Sequence, residues 1–317
     1  MLEIIGYNPF VVFCLGCLFL YISSEILVSN AIIIANRFSI PPFIIGCTIV
    51  AIGTSLPEII VSILSNIQGN SNIAVGNIIG SNIANIGLVL GISLFFGTIY
   101  INKDDNEYLL NVVSLFILTF FFYLSLVFEN INYIHGIFFI SLYVVYFYLY
   151  LKYFKNKLKS DNDGKSNDNI TLIVFKLFLG FCIIYLGSNF FIDGAVGISD
   201  KLGISNLAVG LTIVAIGTSA PELFISINSL MKNQSMLALG NIFGSNIVNI
   251  AFAAGISVII KKIYINYDDI IVYNNIMLLL TVLLLSIVIF SKKIHKIYSI
   301  IFISIYFVYI YINFMLT

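Results

Sequence analysis

The sequence predicts an all-α polytopic membrane protein: ten transmembrane helices in two inverted five-helix repeats. Three observations predict it. Hydrophobic residues make up 60% of the chain and charged residues only 9%, with a mean hydropathy of +1.06, whereas soluble domains carry about 25% charged residues. Apolar runs of roughly 18 residues or more, each enough to cross a ~30 Å hydrocarbon core, recur along nearly the whole chain. Long polar motifs also occur twice, at a constant offset.

Reading apolar runs between polar breaks places the helices at about 9–33, 42–66, 72–98, 108–128, 131–151, 171–196, 205–230, 235–260, 269–291 and 297–316. One substantial hydrophilic connection, KNKLKSDNDGKSNDN, divides them. It is polar and rich in Asn, Asp and Ser, the composition of a flexible linker. The expected organisation is a first half at 1–152, a cytoplasmic linker at 153–170 and a second half at 171–317.

Basic residues orient the spans, because short cytoplasmic loops collect them. With the linker in the cytoplasm, Arg37, Lys103, Lys152, Lys155, Lys157, Lys159, Lys165, Lys176, Lys232, Lys292, Lys293 and Lys296 share that side. Lys201, Lys261 and Lys262 fall outside. Both termini are then expected outside. The first basic residue, Arg37, follows the first apolar run, so no secretory signal peptide is expected.

Other composition narrows the function. A net charge of zero argues against a nucleic-acid partner. All four cysteines lie in apolar runs, and the Cys14/Cys17 pair is expected to pack as small apolar residues. His135 and His295 stand near span ends without a partner motif, which argues against zinc.

The duplication is explicit. TIVAIGTSLPE begins at Thr48 and TIVAIGTSAPE at Thr212, an offset of 164. At the same offset GNIIGSNIANI, from Gly76, matches GNIFGSNIVNI, from Gly240, and IYINKDD, from Ile99, matches IYINYDD, from Ile263. The repeated regions lie within 46–91 and 210–255. An odd number of spans per half means that the second copy enters the membrane from the opposite side. Paired interruptions in such inverted halves point to a binding site at the midplane.

The interruptions carry chemistry. Pro57 and Pro221 lack an N–H, which frees carbonyls near Gly53 and Gly217. Freed carbonyls at membrane depth must be buried in protein or face a cavity. Thr54 and Glu58 are four residues apart on one helix face, with Ser55 beside them; Thr218, Ser219 and Glu222 repeat this. Asn77, Ser81 and Asn85 form a stripe on the next helix, repeated by Asn241, Ser245 and Asn249. Hydroxyls, amides and carboxylates make an all-oxygen donor set, which suits hard cations such as Ca²⁺ and Na⁺.

A kink and interhelical hydrogen bonding would explain one copy of these residues. They do not explain two glutamates, since an ionised carboxylate in the core costs ~3 kcal/mol or more and needs a counter-charge. No Lys or Arg stands in these helices, and a bound cation would supply one. The GxxxG pairs Gly76/Gly80 and Gly240/Gly244 are expected to let helices approach closely. Glu25 and Asp193, not repeat-equivalent, are read as local polar pairs or vestibule residues rather than ligands.

GTSLPE and GTSAPE, each followed by GNxxGSNIxNI, resemble the two alpha repeats of the cation/calcium antiporter superfamily, and of its prokaryotic-type sodium/calcium exchangers in particular. The resemblance covers essentially the whole chain. It implies ten helices, with the second, third, seventh and eighth around central cation sites and the first and sixth sliding as a gating pair. It implies that transported Na⁺ and Ca²⁺ are held by Thr54, Ser55, Glu58, Ser81 and Asn85, and by Thr218, Ser219, Glu222, Ser245 and Asn249. The backbone carbonyls of Ala51 and Ala215 would complete the set.

The implied function is secondary active exchange of Na⁺ for Ca²⁺ in the cell (plasma) membrane by alternating access. No cofactor and no obligatory protein partner is expected, and lipid surrounds the helices. Some similar prokaryotic exchangers, and potassium-dependent members, hold an acid where this chain has Asn249, so potassium coupling is not expected. Gly80-Ser81 and Gly244-Ser245 stand where the proton-coupled branch tends to carry an acid, which favours sodium. The alternatives are a Ca²⁺/H⁺ antiporter with Glu58 and Glu222 as proton carriers, and a cation channel with the same glutamates as a selectivity ring. An intramembrane enzyme is not expected, because no His or Asp stands near Ser55 or Ser219 to activate a nucleophile.

Overall fold

The structure, a computed structural model, describes residues 8–101, 103, 107–157, 169–201 and 215–316. Most of the linker and the first part of the seventh expected span, with Thr212, lie outside the described residues. The first half contains α1 (Pro9–Arg37), α2 (Pro42–Thr54), α3 (Leu56–Ile67), α4 (Ser71–Ser93), α5 (Glu107–Val127) and α6 (Tyr133–Lys157). The second contains α7 (Ile170–Lys201), α8 (Ala215–Thr218), α9 (Ala220–Met231), α10 (Ser235–Ile260), α11 (Tyr267–Phe290) and α12 (Ile297–Leu316). The protein is an integral, multi-pass membrane protein.

Among the described residues, seven helices are long and apolar enough to span a membrane; α2 with α3, bent by 46°, makes an eighth. α12 is a shorter apolar helix, and α8 with α9 is described only in part. Four ends differ from expectation by four residues or more: α1 continues to Arg37 and α7 to Lys201, beyond the expected 33 and 196, and α6 and α4 differ as follows. α6 continues to Lys157, beyond the expected end at 151, because no Gly or Pro interrupts KYFKNK. α4 ends at Ser93, before the expected 98, since Gly97 and a turn follow it.

Four two-residue strands join what is otherwise helical: β1 (Ile99–Tyr100), β2 (Asn130–Ile131), β3 (Ile263–Tyr264) and β4 (Lys293–Ile294). They are the IYIN stretches and their partners, rich in β-branched and aromatic residues. β1 pairs with β4 and β2 with β3, both antiparallel. Each pair crosses between halves, so two equivalent segments each take a partner from the other copy.

The apolar core falls into two clusters. The larger joins α2 to α6 with α10 to α12 and contains Phe43, Ile79, Phe122, Phe139, Phe243 and Phe302. The smaller, with Leu20, Leu27, Ile173 and Ile184, joins α1 to α7 and seats them against Val50, Ile225 and Leu237. α1 and α7 meet through glycines: a Cβ on Gly16 would stand 2.4 Å from the Phe191 nitrogen, and one on Gly194 2.3 Å from that of Phe13.

Gly240 and Gly244 bring α10 onto α2 as expected of a GxxxG pair. A Cβ on Gly240 would lie 2.2 Å from the Phe43 carbonyl oxygen. For the first-copy pair Gly76/Gly80, the counterparts of Phe43 and Cys47 fall at 207 and 211 of the second half, outside the described residues.

Candidate cation site

Each GTS-x-PE motif breaks its helix at the serine. Ser55 has φ −85° and ψ 6°, and Ser219 has φ −86° and ψ 4°, with Pro57 and Pro221 in the first turn of the following helix. That turn therefore begins α3 and α9 with a carboxylate, Glu58 or Glu222, near the positive end of a helix dipole. The carbonyl that Pro221 leaves without its helix donor, on Gly217, accepts the Ser188 hydroxyl of α7 at 3.0 Å. Sequence reading predicted the freed carbonyl but not its donor, because Gly187-Ser188-Asn189 lies outside the segments that the repeat matches.

α4 and α10 carry a second irregularity that no residue pattern signalled. From Asn85 to Leu90 and from Asn249 to Ala254 the turns widen to π geometry. Such widened turns are frequent at functional sites. Both begin on a predicted ligand, so the asparagine side chains are offset from an ordinary helical stripe.

The two motifs meet. Ser55 of the first half donates to Glu222 Oε1 of the second at 3.1 Å, and Ser245 donates to the same oxygen at 3.4 Å. Glu58 and Glu222 are each 1% exposed. Thr54, Ser81, Asn85, Ser219, Ser245 and Asn249 are buried with them, while Thr218 is half-buried. Among the described residues, Glu58 Oε2, Glu222 Oε2, Ser219 Oγ, Asn85 Oδ1 and Asn249 Oδ1 have no hydrogen-bond partner. A buried polar atom without a partner costs about 1–3 kcal/mol. Five such oxygens on the predicted ligand residues are a ready donor set for a hard cation. Among the described residues no three His, Cys, Asp or Glu gather, so the two carboxylates and neutral oxygens are what a cation would meet.

Two of the predicted ligands are backbone carbonyls. The Ala51 carbonyl already accepts the Ser55 N–H at 3.0 Å and the Thr54 hydroxyl at 3.2 Å, leaving less of its oxygen for an ion. Ala215 is the first residue of α8.

Asn77 and Asn241 are braces. Asn77 donates to the Glu58 carbonyl at 3.0 Å and to Ser62 at 2.8 Å, and Asn241 donates to the Glu222 carbonyl at 3.3 Å and to Ser226 at 3.1 Å. Each pins a carboxylate-bearing helix to the following one. Asn82, missed as a site residue, accepts from Asn249 Nδ2 at 3.2 Å and links α4 to α10. Replacing Asn241 with Leu strands the Ser226 hydroxyl and unpins α9. The expected outcome is a loss of about 1–3 kcal/mol in thermal unfolding together with a reduced transport rate.

Glu25 is a paired residue. Its Oε1 meets Lys232 Nζ, at the end of α9, and its Oε2 accepts from Asn228 at 2.9 Å. Asp193 is exposed on α7, one turn beyond Asn189.

These features describe an integral membrane protein with two carboxylates and a set of neutral oxygens gathered at the contact between its halves. The model of the family "Sodium/calcium exchanger protein" matches residues 8–152 and 172–315. The chain belongs to the sodium/calcium exchanger family. It is 29% identical over 287 residues to the sodium/calcium exchanger MaX1 of Methanosarcina acetivorans, covering 78% of this chain and 82% of that one. It is 33% identical over 255 residues to the inner membrane protein YrbG of Escherichia coli, covering 77% and 78%. Its structure is similar to the sodium-calcium exchanger NCX_Mj soaked with 2.5 mM Na⁺ and 1 mM Sr²⁺: the TM-score is 0.83 at 30% identity, over 96% of this chain and 98% of that chain.

Proposed function

We propose that the protein is a secondary active antiporter that exchanges Na⁺ for Ca²⁺ across the cell membrane by alternating access. The observation that carries this is the union of the two motifs: Ser55 bonds Glu222 across the halves, and both carboxylates keep an oxygen unpartnered. Glu58 and Glu222 supply two negative charges, which one Ca²⁺ neutralises. Three Na⁺ in their place leave the site with one positive charge, so three-for-one exchange is electrogenic. Each net charge moved is worth ~2.3 kcal/mol per 100 mV of membrane potential. An empty site keeps two unpaired buried charges, which disfavours an occluded empty intermediate and suppresses leak. No covalent chemistry is involved.

The ten helices form two inverted halves, 1–152 and 171–317, joined by a cytoplasmic linker at 153–170, with both termini outside. The matched starts of α3 and α9, α4 and α10, and α6 and α12 support this, as do the crossed strand pairs. The ligand set is Thr54, Ser55, Glu58, Ser81 and Asn85 with Thr218, Ser219, Glu222, Ser245 and Asn249, and the carbonyls of Ala51 and Ala215.

The test is Ca²⁺ uptake by vesicles holding the purified protein. An outward Na⁺ gradient is expected to drive uptake without K⁺. Uptake that needs only a pH gradient would assign protons instead, and Ca²⁺ flux with no counter-ion would indicate a channel. Asn249→Asp adds a third carboxylate beside the pair without removing either, and the same assay is expected to show reduced but measurable exchange.

A further inference from the structure

A cavity of about 130 Å³ runs between α3 and α7 and is lined by Pro57, Val61, Asn189, Ile192 and Thr218 among others. It reaches Thr218 of the candidate ligand set, and so forms a vestibule on one face of the site. The repeat offset identifies the same positions on the opposite face: Pro221, Ile225, Glu25, Val28 and Thr54. There the passage is shut. Val61 is 38% exposed, but its counterpart Ile225 is 0%, and Val28 and Thr54 are also 0% exposed where Ile192 and Thr218 are half-buried.

The closed face has a bolt that the open face lacks. Lys232 Nζ meets Glu25 Oε1 and donates to Ser29 Oγ at 2.7 Å. Asn228 Nδ2 reaches Glu25 Oε2 at 2.9 Å and Ser24 Oγ at 3.2 Å. Five polar side chains thus fasten α1 to the end of α9, beside the apolar cluster that the two helices share through Leu27, Val28 and Ile225. On the open face the equivalents of Lys232, Glu25 and Asn228 are Gln68, Asn189 and Leu64, which cannot make an ion pair.

We propose that Glu25 and Lys232 are positioning residues that hold α1 against α9, keep the second vestibule closed while the first is open, and must part before the site faces the other way. This rests on alternating access at the site described above, but its readout is accessibility and not transport. The reporter is Ile225→Cys, or independently Val28→Cys, labelled by a membrane-impermeant thiol reagent in open membranes, against the same protein without the added cysteine. In an otherwise unchanged chain, labelling is expected to be slow. Adding Lys232→Gln is expected to speed it by about tenfold, the factor that corresponds to ~1.4 kcal/mol. The swap Glu25→Lys with Lys232→Glu restores the pair with reversed sign and is expected to slow labelling again. Labelling unchanged by Lys232→Gln would overturn the proposal. A swapped protein that unfolds at the parent temperature and still labels fast would also overturn it. Failure of Na⁺-driven uptake with intact labelling differences would instead count against the functional reading.

Discussion

Glu58→Gln, and separately Glu222→Gln, is expected to abolish Na⁺-driven Ca²⁺ uptake while leaving the protein folded. Glutamine keeps the volume and one oxygen, so packing at these two buried positions changes little. What disappears is charge. A unit pair at ~4 Å is worth on the order of 4 kcal/mol in a partly screened protein interior, about a thousandfold in affinity. A divalent ion feels more. Uptake in reconstituted vesicles, with thermal unfolding as the control for folding, measures this. Glu222→Gln also alters the contacts that Ser55 and Ser245 make with its carboxylate, so its effect extends to the link between halves.

Gly244→Val is expected to be nearly as severe, for a purely steric reason. Even the first added carbon would stand 2.4 Å from the Cys47 Cα and 2.6 Å from both the Ala51 Cβ and the Cys47 carbonyl oxygen. None of these is the end of a flexible side chain, so α10 and α2 must separate. Overpacking of this kind typically costs about 1–3 kcal/mol, and Val brings two further carbons. The separation falls between Ala51 on one helix and the neighbouring Ser245 on the other, and it widens the cage. A lowered unfolding temperature together with lost uptake is the expected pair of results. A stable protein with normal uptake would show that α2 and α10 need not touch there.

Much of this was legible in the sequence because it was written twice. A single GTSLPE is a broken helix with an unexplained acid. A second copy at a fixed offset turns Glu58 and Glu222 into partners, and the structure brings Ser55 of one to the carboxylate of the other. The boundaries of α10 were readable because Gln234 and Lys261 bracket a long run that holds no charged residue. What was not legible depends on three-dimensional register. The widened turns at Asn85 and Asn249 arise from packing, and no local residue type announces them. Ser188 reaches Gly217 only because α7 crosses α8 at that height. The Glu25 pair with Lys232 spans two halves at positions that the repeat does not match, so the duplication that revealed the site concealed its bolt.

The central claim is that Na⁺ and Ca²⁺ compete for one cage built on Glu58 and Glu222. Equilibrium binding of radioactive Ca²⁺ to the purified protein, titrated with Na⁺, tests it most directly. The expected result is full displacement of Ca²⁺, with a Hill slope in Na⁺ above one, and loss of Ca²⁺ binding in Glu58→Gln. Ca²⁺ that stays bound at saturating Na⁺, or binds Glu58→Gln as well as the parent, would contradict a shared site.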